Sequence, residues 1–306
     1  MIAASVWAQV AVAATVSETD VITAVQALHA AANYTWKRTI ERTFDAPAQK
    51  TGGDSGKLAS ETLLWGKSSR DGVTVAKFSQ DSVNQKAMLN GVFTATRGLV
   101  DYGAGWMTRE EVLKAFGWDE PTLSRNPDWK ATVNSRRELL TRAHPGSRFA
   151  LQFLRFGAVS SSEQLRDLLP EMTSLRTDGD AIVAELTQPM TDKLLEEAAA
   201  ETLNPMIAVS PYTALSPQVR GGQATVKFWL KYGGLQKFEL RIRGEYHLVW
   251  GDRSVARATA AGRSPAWRSI EYTATTEFFE PGKSEFSLST NAIRKLKGDA
   301  PQEVSP

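Results

Sequence analysis

The chain has 306 residues, 42% of them hydrophobic and 23% charged, with a formal net charge of +2. That length and composition allow one large or two ordinary domains with a substantial core, and they carry no compositional sign of disorder. A charge so near zero argues against a polyanion partner for the whole molecule, and the absence of cysteine excludes disulfide staples, thiolate zinc sites and cysteine nucleophiles.

Residues 1–15, MIAASVWAQVAVAAT, read as the end of a secretory hydrophobic region with an Ala11-Val12-Ala13 cleavage site, although no Lys or Arg precedes Lys37. The expectation is export to the periplasm or cell envelope of a bacterium. A plain Ala/Val-rich helix start is the other reading. Outside this stretch no run of about 18 apolar residues suggests a membrane span.

Ser17 and Asp20 form a capping-box pattern, so a helix is expected from Asp20 to about Thr35, with Val21, Val25, Leu28, Ala32 and Trp36 on one stripe. Residues 34–44 read as a first strand, and 46–57 as a Pro/Gly/Ser loop. Strands follow at 58–68 and 73–79 around Asp71-Gly72, then at 85–89 and 92–97 around Asn90-Gly91, both good hairpin signals. A short strand bearing Trp106 ends this meander. Thr108 and Glu111 make a second capping box opening a helix to about Phe116.

Residues 128–143 and 148–157 read as helical, the first stopped by His144-Pro145-Gly146. Ser160 caps another helix carrying Leu165, Leu168 and Leu169. A hairpin follows around Asp178-Gly179, then a helix opened by Pro189 with Leu194, Leu195 and Ala198 inward. Residues 224–288 are the densest strand region. Val226, Phe228 and Leu230, then Phe238, Leu240 and Ile242, alternate with charged residues across Gly233-Gly234. A sheet with one wet face is ordinarily antiparallel. The order of elements predicts an α+β domain, with helices on one side of an antiparallel sheet.

Between Arg220 and Glu271 ten Lys or Arg stand against four acids, so the outer face of this region is basic. A solvated face that discourages edge pairing is the structural account of that charge, and contact with an anionic surface is the functional one. Nucleic acid is not expected. The three histidines, His29, His144 and His247, lack metal-ligand spacing, and no phosphate loop or nucleophile elbow occurs. Glu110-Glu111 and Glu196-Glu197 are sequence neighbours that diverge on helices. No cofactor, metal or catalytic residue is assigned.

Residues 56–65 (GKLASETLLW), Gly105-Trp106-Met107-Thr108, residues 224–244 (ATVKFWLKYGGLQKFELRIRG) and 275–288 together resemble the LolA-like and LppX-like bacterial lipoprotein-carrier half-barrels. The resemblance implies a strongly curved antiparallel half-barrel with helices over its concave face, in one domain spanning 16–297. Within it fall strand sets at 34–108 and 224–288, a helical insert at 109–172, a hairpin and helix at 174–200, and a tail after 297. It also implies a cavity for a lipid, a lipoprotein acyl chain or another hydrophobic ligand. Trp65, Met88, Phe93, Phe228, Leu230, Phe238 and Leu240 are the candidate lining residues. Two alternatives stand beside it: an envelope scaffold with a packed core and a basic outer face, and a hydrolase with an acid pair assembled by the fold.

Overall fold

The computed structural model describes residues 17–45, 57–70, 72–82, 85–94, 98–101, 106–108, 111, 161–202, 216–249, 267–285 and 287–297. Eleven strands form one open antiparallel sheet in the order β6-β5-β4-β3-β2-β1-β11-β10-β9-β8-β7. The strands are β1 (Asn33–Asp45), β2 (Lys57–Ser69), β3 (Thr74–Ser82), β4 (Gln85–Phe93), β5 (Gly98–Asp101), β6 (Met107–Thr108), β7 (Met172–Asp178), β8 (Ala181–Leu186), β9 (Ser216–Lys231), β10 (Gly234–Val249) and β11 (Arg268–Phe279). The four described α-helices are α1 (Glu18–Ala30), α2 (Ser161–Leu168), α3 (Gln188–Thr202) and α4 (Thr290–Lys297). The fold is α+β, a curved antiparallel half-barrel in which the first strand set and the last meet through the β1–β11 pair.

Period-2 alternation sets which side chains face the helices. On β10, Phe238, Leu240 and Ile242 are buried while Lys237, Arg241 and Arg243 lie on the other side. On β9, Ala224, Val226 and Phe228 are buried, and α3 packs across this inner face of β9 and β10 with α1 beside it. One core cluster joins α1, α2 and α3 to the inner face from β5 across to β8 in sheet order. Between Arg243 and Glu245 the register with β9 shifts, with the extra residue on β9 between Gln223 and Arg220, while β10 keeps regular pairing with β11. A Cβ at Gly244 would crowd Leu195 of α3, so glycine is what admits the helix here.

The N-terminus of α1 carries the expected reciprocal cap, with Ser17 Oγ accepting from the Asp20 amide and the Asp20 carboxylate accepting from the Ser17 amide. These bonds hold the Asp20 carboxyl below its ordinary range. The helix ends at Ala30, earlier than expected, and Trp36 belongs to β1. Its indole lies over Gly66, donates to Ser68 Oγ at 3.0 Å, and Ser68 in turn bonds Thr74 at 2.8 Å. At the second capping box, the Thr108 amide donates to Glu111 and the Glu111 amide to Thr108 Oγ1. Burial raises the Glu111 carboxyl, but the Lys295 ammonium and the Thr108 amide outweigh it and hold the group below its ordinary value.

Asn90-Gly91 is not a hairpin turn. Both residues sit inside β4, opposite Lys77 and Ala76, because the neighbouring strand supplies a full ladder partner for each. After β11 the chain turns at Gly282, bonds Asn33 through the Gly282 and Ser284 amides, and crosses to α4, which packs on β5. Residues 1–15, the segment read as an export signal, lie outside the described residues, as do the helices expected at 128–143 and 148–157.

Candidate functional site

The inner face and its helices leave a void between β1, β10 and β11 below and α2 and α3 above, with a volume of about 200 Å³. Its floor is Ile40, Leu240, Ile242 and Tyr272, and its roof is Leu168, Met190, Leu194 and Ala198. Arg38, Gln164, Asp167, Lys193 and Glu197 complete the lining. Apolar walls with a few polar groups suit a ligand with a greasy body and one polar end. The pocket is partly open to solvent, so a ligand could enter it from one side while its body lies against the sheet.

Two arginines share the inner face with these apolar residues. Arg38 donates through Nε to Thr276 Oγ1 at 2.9 Å and through a terminal nitrogen to Gln164 Oε1 at 2.5 Å, which ties β1 to α2. Its guanidinium carbon lies 5.9 Å from the centroid of the Phe238 ring. Arg42 is 3% exposed, with its guanidinium carbon 5.6 Å from the Tyr272 ring centroid. Taking a guanidinium out of water is costly, and an aromatic face offsets part of that cost. Thr62 lies beside Ile40 in the adjacent strand, fully buried, and its hydroxyl meets no hydrogen-bond partner among the described residues.

The seven expected lining residues fall into three groups. Leu240 lines the void. Phe93, Phe228 and Phe238 are fully buried in the inner core, Phe238 stacked on Phe278 at 6.0 Å, and Leu230 is half-buried against the same core. Trp65 is a correction: it stands exposed on the outer face, because Thr62, Leu64, Gly66 and Ser68 take the inward positions of β2. Met88 pairs with Ser79, whose partner on β2 is Leu63, so its register position belongs to the Trp65 face. The sequence reading also overlooked Arg38 and Arg42 as inward residues. Their signal was present in the i+2 series Tyr34, Trp36, Arg38, Ile40, Arg42, Phe44, where two cations interrupt an otherwise apolar stripe.

Of the titratable residues singled out, Glu196 and Glu197 are exposed on α3, and His29 is exposed on α1. His247 lies edge-on to Trp267 with ring centroids 5.7 Å apart, and burial together with the Arg268 cation lowers its pKa. Among the described residues no group of three His, Asp or Glu could hold a metal ion. No described helix is long and apolar enough to cross a membrane.

The sequence matches no protein-family model and no curated protein. Solved structures with similarity include the following two. LprF from Mycobacterium bovis is 5% identical, with 89% of this chain and 95% of that chain covered at a TM-score of 0.33. A structure described as "Asymmetric conductivity of engineered proteins" is 10% identical, with coverage of 81% and 99% and a TM-score of 0.17. Neither value carries weight by itself, and the α+β class with its open eleven-stranded antiparallel sheet rests on the strand order and register described above.

Proposed function

We propose that this protein is a non-enzymatic, exported envelope protein that holds a hydrophobic or amphiphilic ligand against the concave face of its sheet. The observation that carries the reading is the void between β1, β10, β11 and helices α2 and α3, walled by Ile40, Leu240, Ile242, Leu168 and Leu194. At about 200 Å³ it exceeds the roughly 150 Å³ cavity that admits benzene and is smaller than the roughly 300–1,000 Å³ of drug-sized sites. It therefore suits a short alkyl segment or the end of an acyl chain, with Arg38 and Gln164 placed to meet a polar group. Export is supported by the apolar, small-residue stretch at 1–15.

One observation favours the packed-scaffold alternative: Phe228 and Phe238, expected to line a cavity, are wholly buried in solid core. Ala198 separates the two readings, because it faces the void from α3 and is otherwise small. Native protein, purified and extracted with organic solvent, is expected to release acyl species detectable by lipid mass spectrometry. Ala198→Phe should empty the extract while leaving the unfolding midpoint close to native. Repeatedly empty extracts from folded native protein would overturn the ligand reading and leave the scaffold.

A further inference from the structure

The outer face of the sheet is not uniform. Cross-strand register places Trp229, Lys237, Glu277, Lys37, Trp65, Lys77 and Asn90 in one continuous row over seven strands from β9 to β4. With strands about 4.8 Å apart, the stretch from Trp229 to Lys77 spans about 24 Å. Four residues further along β1, roughly 13 Å away, the corresponding row holds Arg241, Thr273, Glu41, Glu61 and Asp81. One end is therefore cationic and aromatic, and the other carries acids in adjacent strands.

The large hydrophobic side chains exposed among the described residues gather at the cationic end. Tyr232 is 97% exposed, Phe279 45%, Trp65 40% and Ile293 38%. Tyr232 forms the β9–β10 turn, Phe279 ends β11 one row above Lys37, and Ile293 of α4 lies beside Asn33 and Ser69, where β1 begins and β2 ends. Tyr232 also adopts φ +52°, a left-handed conformation that is disfavoured for a bulky residue and that glycine would take freely. A strained turn that projects an aromatic ring into water is a poor choice for stability alone. The lysine charges stay available here: Lys37 and Lys77 form no ion pair with a described residue, whereas Arg220, Lys227 and Arg241 elsewhere on this face are bonded to Glu245, Asp178 and Glu271. The acids at the same end are Glu277 within the row, Glu280 and Glu285 in the strap after β11, and Asp178 and Asp180 beside Lys227 and Trp229.

We infer that this end of the outer face docks on an anionic lipid bilayer. Aromatic rings with an apolar body and a polar edge settle at the headgroup level, and lysines on long stems reach the lipid phosphates around them. Glu41 and Glu61 stand in the row about 13 Å from the lysines, and Arg241 at that end is bonded to Glu271, so the unpaired lysine charge among the described residues lies at the docking end and sets the orientation. The docking does not depend on the ligand cavity, because a protein with a solid concave face would present the same surface.

The test is co-sedimentation of the full chain with phosphatidylglycerol-containing vesicles against pure phosphatidylcholine vesicles. Binding is expected to the anionic vesicles alone and to weaken as salt rises. Lys37→Gln and Lys77→Gln should each weaken it about fivefold, the share of one lysine at an anionic surface. Tyr232→Gly should lower binding while raising or preserving the unfolding midpoint, a result that a merely structural tyrosine would not give. Arg243→Gln, at the acidic end, should bind as native. Equal binding to both vesicle types, native binding by the lysine and tyrosine variants, or retention only by an anionic polymer such as heparin would each overturn the inference.

Discussion

The two faces of the same sheet obey different physics. On β10, Phe238, Leu240 and Ile242 are buried on the helix-covered side, while Lys237, Arg241 and Arg243, their sequence neighbours, stand on the opposite side with cation–π, ion-pair and hydrogen-bond partners. Lys237 lies over the Trp229 ring at 3.7 Å, and Trp229 in turn donates to Asp180. Burial on the inner face removes apolar area from water and fixes every rotamer, so a change of one atom is felt there. On the outer face water screens the charges and fills any gap, so pairs there order side chains without adding much stability. The contrast explains why the inner face determines the fold and the outer face is free to carry recognition.

The largest break in that comparison should come from Phe238→Ala, which removes a fully buried ring stacked on Phe278. A loss of about 3–5 kcal/mol is expected in denaturant unfolding. A loss below about 1 kcal/mol would mean that the inner face is not solid at that point. Next in size is Gly66→Ala, where the new methyl would overlap the Trp36 indole and disturb its bond to Ser68. Overpacking of this kind costs about 1–3 kcal/mol, and near-ultraviolet circular dichroism should report the displaced tryptophan.

The outer face should respond weakly. A double-mutant cycle on Arg241 and Glu271, both about half exposed, is expected to give a coupling below about 1 kcal/mol that shrinks with added salt. A coupling of several kcal/mol would show that the outer face is shielded from water. The smallest effect is His247, whose lowered pKa means that the unfolded chain takes up its proton first as pH falls. Stability from this group is present above the ordinary histidine value of 6.5 and declines as pH drops from there toward the folded value. His247→Gln should flatten that part of the stability–pH profile.

How much of this was legible beforehand depended on whether a signal was local. Both capping boxes were readable because the partners lie three residues apart, and the inward sets of β9, β10 and α3 followed from their own periods. Asn90-Gly91 misled because its hairpin signature is local, while ladder partners in β3 decided the backbone path. Trp65 misled for a related reason. Its size suggested the core, but the parity of Leu64 and Gly66 had already assigned the inward side.

The amino-acid order alone therefore determined an antiparallel α+β domain, the strand periods and the helix starts, since each depends on side-chain spacing within a few residues. Only the tertiary structure decided that β1 joins β11, that Arg38 lines a helix-covered pocket while Arg42 is buried against Tyr272, and that lysines from β10, β1 and β3 align with two tryptophans. Those relations link residues more than two hundred positions apart, as Thr35 and Phe279 are, through hydrogen-bonded register, a long-range choice that no local pattern encodes.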